Sequence, residues 1–239
     1  MFKKILNILT SRLKNRGHNK VKISKKISGH YKISLSGSEN ILSVGKNCKC
    51  KNLLIKIRGQ NNRVEIKDNF NCKGLCEIYV IGSNSKVTIG ENVMVVTSLK
   101  IYEHDNGHNC QIHIGNSCSF YKTEIHNYDN GASIHIGEDC MFAYDTVVYN
   151  TDGHSVFSNG VLSNQAKELS IGNHVWIGWG ASILKNSKIA DGVIIGKNTT
   201  IAGIFDELNC AVVGNPAHVV KRGISWDRKS VNEYQKEDE

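Results

Sequence analysis

Residues 171–201 read Ile-Gly-Asn-His-Val-Trp-Ile-Gly-Trp-Gly-Ala-Ser-Ile-Leu-Lys-Asn-Ser-Lys-Ile-Ala-Asp-Gly-Val-Ile-Ile-Gly-Lys-Asn-Thr-Thr-Ile, with an isoleucine at every sixth position. A small or β-branched residue follows each of the first five isoleucines four positions later. A helix repeats its apolar contacts at three and four residues, so a strict period of six excludes a helix. Branched side chains favour extended backbone. The stretch therefore predicts a parallel β-helix in which each hexad supplies one short strand and one corner.

The same repeat continues upstream with a longer period. The branched apolar residue recurs at Val44, Ile66, Ile89, Ile114 and Ile136. These spacings of 22, 23, 25 and 22 residues exceed three hexads by four to seven residues. The excess predicts a wider corner in each of these turns, where Gly and Asn residues supply positive φ.

The repeat resembles that of the hexapeptide-repeat acyltransferases. The resemblance covers roughly Gly37 to Arg222, and Gly214-Asn-Pro-Ala217 followed by a basic pair is similar to the end of the sugar-directed acetyltransferases of this superfamily. It implies an all-β, left-handed parallel β-helix of triangular section, with three hexads in each turn. It also implies a homotrimer whose active sites lie between neighbouring subunits.

Charge is distributed unevenly along the chain. The net charge is +8, but no Asp or Glu precedes Glu39, and the first 38 residues hold ten Lys and Arg. The rest of the chain has a balance of −2. A nucleic-acid-binding domain needs a basic face on its folded body, so we expect no nucleic-acid partner.

The two ends of the chain are predicted to lie outside the β-helix. Residues 1–36 form a basic arm, in which apolar residues at helical spacing predict a short amphipathic helix: Phe2, Ile5, Leu6, Leu9 and Leu13. The arm either caps the first turn or docks on anionic lipid at the inner face of the membrane. Residues 223–239 form a polar tail after the β-helix of residues 37–222. No transmembrane helix or signal peptide is expected.

Eight cysteines are spread along the chain without any Cys-x-x-Cys pair. Three of them, Cys48, Cys118 and Cys140, occupy the position that Phe70 and Val93 take in other repeats. Buried free thiols are therefore the better interpretation than disulfides or zinc ligands. Reduced thiols in a core predict a cytoplasmic protein.

One long insertion interrupts the repeat. Ile136 and Ile171 are 35 residues apart, and the excess falls within residues 149–167. Excursions from a regular scaffold tend to carry function, and this one contains Asp152 and His154. Histidine suits a general base, and Asp152 is placed to fix its tautomer. In resembling enzymes that modify capsular and O-antigen sugars, a similar Asp-x-His supplies the base. The alternative is a loop histidine that caps a turn.

Two tryptophans follow the insertion at positions that should face outward. Trp176 precedes the inward Ile177, and Trp179 also stands at a non-core position. Soluble proteins rarely leave such side chains uncovered, so we expect a subunit interface or a platform for a sugar ring. The resemblance places the Trp of Val-Trp-Ile-Gly beside the active site, so Trp176 is a candidate catalytic residue.

The resemblance also implies acetyl-CoA as the acyl donor, lying along one edge of the prism. Candidate donor-binding residues are Gly178, Trp179, Gly196, Ala202, Lys221 and Arg222. The glycines and the alanine would let the donor approach the backbone, and the basic pair would meet its phosphates. The segment Ile204-Phe-Asp-Glu-Leu208 departs from the usual run before Gly-Asn-Pro.

A rival site is offered by five histidines of the middle repeats: His104, His108, His113, His126 and His135. His113 and His135 hold equal places one turn apart and should stack about 4.8 Å from each other. The γ-class carbonic anhydrases, which share the β-helix, bind zinc through histidines between subunits. These outward positions require only a polar side chain, which a histidine supplies without binding a metal. We therefore expect no metal.

The sequence thus predicts a cytoplasmic acetyltransferase that moves an acetyl group from acetyl-CoA to a sugar hydroxyl in a surface polysaccharide or its precursor. His154 is the predicted base. N-acetylation of an amino sugar is the near alternative, because the same base and donor would serve. A zinc-dependent enzyme similar to the γ-class carbonic anhydrases and a purely structural β-helix are the distant alternatives.

Overall fold

The computed structural model describes residues 12–24 and 28–235, apart from the side chains of residues 104–106. In chain order the elements are β1 (Arg12–Arg16), β2 (Lys20–Ile23), β3 (Ser28–Ser38), β4 (Ile41–Val44), β5 (Lys49–Gln60), β6 (Arg63–Ile66), β7 (Asn71–Ser83), β8 (Lys86–Ile89), β9 (Met94–His108), β10 (Gln111–Ile114), β11 (Ser119–His126), β12 (Ser133–Ile136), β13 (Met141–Phe142), β14 (Thr146–Tyr149), β15 (Phe157–Ser158), β16 (Val161–Leu162), β17 (Glu168–Ile171), β18 (Trp176–Ile177), β19 (Ser182–Leu184), β20 (Lys188–Ile189), β21 (Ile194–Ile195), β22 (Thr200–Ile201), β23 (Ile204–Phe205), β24 (Cys210–Gly214), β25 (Ala217–Arg222) and α1 (Val231–Gln235).

The strands stack as a parallel β-solenoid. One sheet has nine strands in the order β2-β4-β6-β8-β10-β12-β17-β20-β23. The other runs β1-β3-β5-β7-β9-β11-β13-β18-β21-β24-β25, and β14, β19 and β22 branch from it at β11. The predicted β-helix is confirmed in its all-β, parallel form.

The inward branched residues form a continuous core row along the nine-stranded sheet. Ile89 pairs with Ile114, Ile114 with Ile136, and Ile136 with Ile171. All are buried. The wide upstream turns and the tight turns after Ile171 therefore share one core, and the register follows because a slip of one residue would expose the row.

Asparagines and related polar residues turn the chain at the corners. Asn69, Asn92, Ser117, Asp139 and His174 stand at one corner of successive turns, and each has φ between 52° and 62°. Asn and Asp tolerate this left-handed conformation better than other non-glycine residues. Because such residues recur at this corner, the chain can change direction there in successive turns with few glycines.

The eight cysteines are buried and free, as predicted. Burial raises the pKa of Cys50 to about 12 and that of Cys72 to about 11. Such thiols stay protonated and pack as small apolar side chains.

The solenoid begins earlier than the predicted boundary at Gly37. β1 pairs in parallel with β3, and β2 pairs with β4. Lys20 and Lys22 are exposed while Val21 and Ile23 are half-buried, which is the two-residue period of a strand. Leu13, assigned above to a helix, lies in β1 and is exposed. The rest of the predicted helix, up to Leu9, lies outside the described residues. Among the residues that the structure describes, no helix is long and apolar enough to span a membrane.

Candidate functional site

The tight turns have three faces, and they place the candidate residues at two separate edges. β17, β20 and β23 form one face, β18, β21 and β24 a second, and β14, β19 and β22 a third. We call residues 150–167 and 185–187, which follow the third face, the loop corner. We call residues 176–179 and 194–197, on and just after the second face, the tryptophan edge.

The inserted loop is held to the solenoid at its root. Thr151 Oγ1 donates to Asp129 Oδ1 at 2.6 Å, and the Ala166 amide donates to the other carboxylate oxygen of Asp129 at 3.2 Å. Asn150 is buried and bonds the carbonyl of Lys167 at 3.1 Å. Both ends of the loop are therefore fixed by the same neighbouring turn.

His154 lies just beyond this root and is exposed. Asn164 Nδ2 donates to the His154 carbonyl at 2.7 Å, which fixes the backbone and leaves the imidazole facing solvent. Asp152 forms an ion pair with Lys185 and accepts from Asn164 Nδ2 at 2.9 Å. Lys185, followed by Asn164, holds the pKa of the Asp152 carboxyl below its usual range. In the protomer Asp152 thus anchors the loop root, whereas the sequence assigned it to the His154 imidazole.

The tip of the loop is an apolar hairpin. β15 and β16 pair antiparallel, and Phe157 and Val161 are 63% and 68% exposed. Val156 and Leu162 are also exposed. Four such side chains on one short hairpin form an uncovered apolar patch on the protomer.

The tryptophan edge matches the predicted outward directions. Trp176 pairs in register with Met141 and Ile194 and is 36% exposed. Trp179 is more open: its ring lies 5.0 Å from that of Tyr144, and the Lys197 ammonium stands 5.9 Å from its centroid. The edge therefore presents two aromatic faces and one cation.

Part of the cover over Trp176 comes from the C-terminal tail. The rings of Trp226 and Trp176 are 6.1 Å apart. Trp226 is 8% exposed, stacks on His174 at 4.2 Å, and donates its indole N–H to the His174 carbonyl at 2.8 Å. The predicted polar tail is therefore docked on the solenoid at Trp226, a contact that the sequence analysis did not foresee. A lone tryptophan in a polar run was the signal that could have found it.

Arg228 fastens the tail one turn farther along the solenoid. Its guanidinium donates to the Asp139 carboxylate at 2.9 Å and to Ser119 Oγ at 2.7 Å. The same group also donates to the carbonyls of Ser117, at 3.1 Å, and Cys140, at 3.3 Å. Asp139 in turn contacts His174 Nδ1 at 2.7 Å, so tail and corner are linked by one polar network.

The candidate donor-binding glycines have a structural role of their own. A Cβ on Gly178 would lie 2.6 Å from the Ile195 carbonyl oxygen, and one on Gly196 would lie 2.6 Å from Val213 Cγ1. Close stacking of the turns therefore requires glycine at position 178, where the neighbouring atom is backbone, while at position 196 the neighbour is a side chain. Gly178 is buried and Gly196 half-buried, and Trp179 and Lys197 are the exposed residues of this edge.

Of the other candidate donor-binding residues, Ala202 lies away from this edge, whereas Lys221 and Arg222 lie on β25, which extends the second face beyond β21 and β24. Ala202 follows β22, whose partner β19 runs on toward Lys185, so Ala202 belongs with the loop corner. Lys221 and Arg222 end β25 and are exposed, and Arg222 Nε pairs with Glu207 at 2.8 Å. Within one chain, the predicted base and the predicted donor edge are thus on different corners.

The five histidines do not form one cluster. His113 and His135 stack with ring centroids 4.9 Å apart, as predicted, on the nine-stranded sheet. His126 lies on the other sheet, 5.1 Å from both Tyr102 and Tyr149. The His104 side chain lies outside the described residues. Within the described part of the chain, no group of three His, Cys, Asp or Glu residues is arranged to hold a metal ion.

Comparisons with known proteins agree on one kind of enzyme. The chain is 30% identical over 203 residues to the polysialic acid O-acetyltransferase of Neisseria meningitidis, covering 82% of this chain and 80% of that protein. It is 28% identical over 167 residues to the polysialic acid O-acetyltransferase of Escherichia coli O1:K1, of which it spans 45%. None of the protein-family models matches the chain.

Two solved structures share the fold over nearly the whole chain. The polysialic acid O-acetyltransferase OatWY superposes with a TM-score of 0.61 at 27% identity, covering 95% of this chain and 96% of the other. The polySia-specific acetyltransferase NeuO superposes with a TM-score of 0.63 at 26% identity, covering 96% and 88%. The shared architecture therefore includes the wide upstream turns as well as the tight ones.

Proposed function

This chain belongs to the family of the polysialic acid O-acetyltransferases, which are hexapeptide-repeat acyltransferases, and we propose that it moves an acetyl group from acetyl-CoA to a hydroxyl of an acidic surface polysaccharide. The observation that carries the proposal is the inserted loop, which is fixed at its root and leaves the His154 imidazole in solvent. A solenoid that served only as a scaffold would have no use for such a loop.

His154 is the proposed general base. Its imidazole takes the proton of the acceptor hydroxyl as the oxygen attacks the thioester carbonyl. The new C–O bond forms, the C–S bond breaks, and the proton passes from the imidazole to the departing CoA thiolate. Histidine suits both steps, because the neutral imidazole accepts the proton and the resulting imidazolium returns it, and the ordinary pKa of histidine lies close to working pH.

The base and the donor edge meet only if two copies combine. One chain holds His154 at the loop corner, while Trp176 and Gly178 stand at the tryptophan edge. We propose a homotrimer of left-handed β-helices in which the loop of one copy reaches the tryptophan edge of the next. The exposed hairpin at residues 156–162 supports this arrangement, because a partner would cover its apolar side chains.

Acetyl-CoA supplies the activated acetyl group when it is bound. It is proposed to lie along the tryptophan edge, where the half-buried Gly196 adds no side chain to the surface and the exposed Trp179 and Lys197 border it. Lys221 and Arg222 are proposed to meet the phosphates, and Trp176 to flank the acceptor sugar. The buried free thiols are consistent with a cytoplasmic enzyme.

The test is acetyl transfer by the purified protein from acetyl-CoA to polysialic acid, with EDTA present. We expect a base-labile acetyl ester on the polymer and stoichiometric release of CoA. A base-stable amide on an amino sugar would favour N-acetylation instead. Loss of turnover on chelation, or no transfer to any saccharide, would overturn the proposal.

A further inference from the structure

The outward row that contains Trp176 continues far beyond the tight turns. Register pairing leads from Trp176 to Met141, Ser119, Met94, Asn71 and finally Lys49. The flanking residues in each strand point into the core and are buried, so these side chains all point away from the core, and Ser119 among them is covered by Arg228 of the docked tail. Five parallel strand spacings make this row about 24 Å long.

A groove occupies the middle of this row. Its volume is about 360 Å³, and Asn71, Met94 and Ser119 form its floor. The corner residues Asn69 and Asn92 form one side, with the amide of Asn69 donating to Asn92 at 3.1 Å. Arg228 of the docked tail closes the end nearer Trp176. Amide groups, a thioether and a guanidinium are together suited to a polar ring with apolar faces.

The far end of the row is basic. Among described residues before Gly74, the chain has fourteen Lys and Arg against three acidic residues, Glu39, Glu65 and Asp68. Lys49 stands in the row itself, and Lys51 and Lys73 lie beside it, all three exposed. The positive charge that the sequence assigned to a separate arm thus belongs partly to the solenoid, at the end toward which the groove leads.

We propose that this outward row from Trp176 to Lys49 binds the acceptor chain beyond the sugar that is acetylated. The occupant is an anionic polysaccharide with a carboxylate on each residue, which lies over the groove and places its distant carboxylates at Lys49 and Lys51. The inference rests on the proposed function in two respects: the acceptor is an anionic polysaccharide, and Trp176 lies at the site of acetyl transfer. Each contact between a carboxylate and an exposed lysine is screened by salt and is therefore weak. Several such contacts along one polymer add together, so the affinity should rise with the length of the polymer.

The test compares two double variants with matched spacing and charge. Lys49→Ala/Lys51→Ala removes two exposed lysines of β5 in the row. Lys20→Ala/Lys22→Ala removes two exposed lysines of β2, which lies on the nine-stranded sheet and off the row. KM and kcat are measured at saturating acetyl-CoA with long-chain polysialic acid and with sialic acid dimers.

We expect the β5 variant to raise the KM for the long polymer by about tenfold, with the kcat and the dimer KM changed less than twofold. The β2 variant should change every constant less than twofold. Rising salt should remove the advantage of the long polymer in the wild type and leave the β5 variant less affected. Equal effects of the two double variants, or equal KM for polymer and dimer in the wild type, would overturn the proposed row. If the wild type transfers acetyl to neither saccharide, the proposed function fails, and the row fails with it.

Discussion

The inserted loop and the C-terminal tail both leave the regular solenoid, but only the tail is covered by its own chain. The loop is fixed at its root by Asp129 and Lys185, and its apolar tip at Phe157 is open to solvent. The tail buries Trp226 and bonds Arg228 to the side chains of Asp139 and Ser119 and to the carbonyls of Ser117 and Cys140. The tail is thus held by its own chain at Trp226 and Arg228, whereas the loop tip needs a second surface.

This difference separates two roles for irregular segments. A segment that satisfies its apolar and polar groups internally adds stability and shapes the surface beside it. A segment that leaves apolar groups exposed beside a free imidazole is suited to an intermolecular site. The comparison predicts that loop changes act on activity and assembly, while tail changes act on local stability.

The largest effect is expected from His154→Ala. Removal of the base should lower kcat by about 10² to 10⁴-fold without change in the folded structure. His135→Ala serves as the control, because that histidine is also exposed but lies on the nine-stranded sheet. Acetyl transfer assays and circular dichroism provide the measurements. If His135→Ala proved the more damaging change, the rival histidine site would replace the loop.

The next effect concerns the loop tip. Phe157→Ser/Leu162→Ser should weaken self-association by about tenfold or more, because it removes two apolar side chains from the proposed contact. Sedimentation equilibrium reports the assembly, and transfer activity should fall with it. Val231→Ser removes an exposed apolar residue of α1 and should leave assembly unchanged. A double variant that remained trimeric and fully active would remove the loop tip from the interface.

Trp226→Ala should release the tail and leave the solenoid folded. The lost stacking and indole hydrogen bond cost at most about 3 kcal/mol, confined to the docked segment. Hydrogen exchange of residues 224–230 should become fast while the core strands stay protected. Val231→Ala, beyond the docked segment, is the control. Unchanged protection of residues 224–230 would contradict the docked arrangement.

The smallest effect is expected at the loop root. Lys185 and Asn164 lower the folded pKa of Asp152, so its contribution to stability is present above the unfolded pKa and is lost as pH falls through the folded value. Because the pair is partly exposed, the contribution should stay below about 1 kcal/mol. Denaturant unfolding of Asp152→Asn should lack this pH dependence, and Lys185→Gln, which leaves the hydrogen bond from Asn164, should keep only the smaller part of it. A variant with the wild-type pH profile would show that the ion pair is not formed in solution.

Much of the fold could be predicted because the repeat is local. The six-residue spacing of Ile171 to Ile201 reports directly which residues point inward, and the 35-residue gap before Ile171 exposes the loop. The separation of His154 from Trp176 could also have been derived, since each hexad advances the chain by one face.

The remaining differences between prediction and structure lie in segments whose amino-acid composition does not indicate what they contact. Lys20 and Lys22 alternate with half-buried branched residues, but the excess of positive charge suggested an arm. Trp226 and Arg228 dock onto a corner that is distant in sequence, and hydrophobic periodicity carries no signal for such a contact. The Asp152–Lys185 pair likewise depends on a turn that lies 33 residues downstream.

The most direct measurement of the shared site is complementation between two inactive variants. His154→Ala lacks the base, and Trp179→Asp/Lys197→Asp replaces the exposed ring and the cation of the tryptophan edge, so each homotrimer should have little activity. When the two chains are unfolded together and refolded in equal amounts, a site built from two copies should recover about a quarter of wild-type activity. Mixed trimers that form, as shown by differently tagged subunits, yet remain inactive would contradict a site shared between copies.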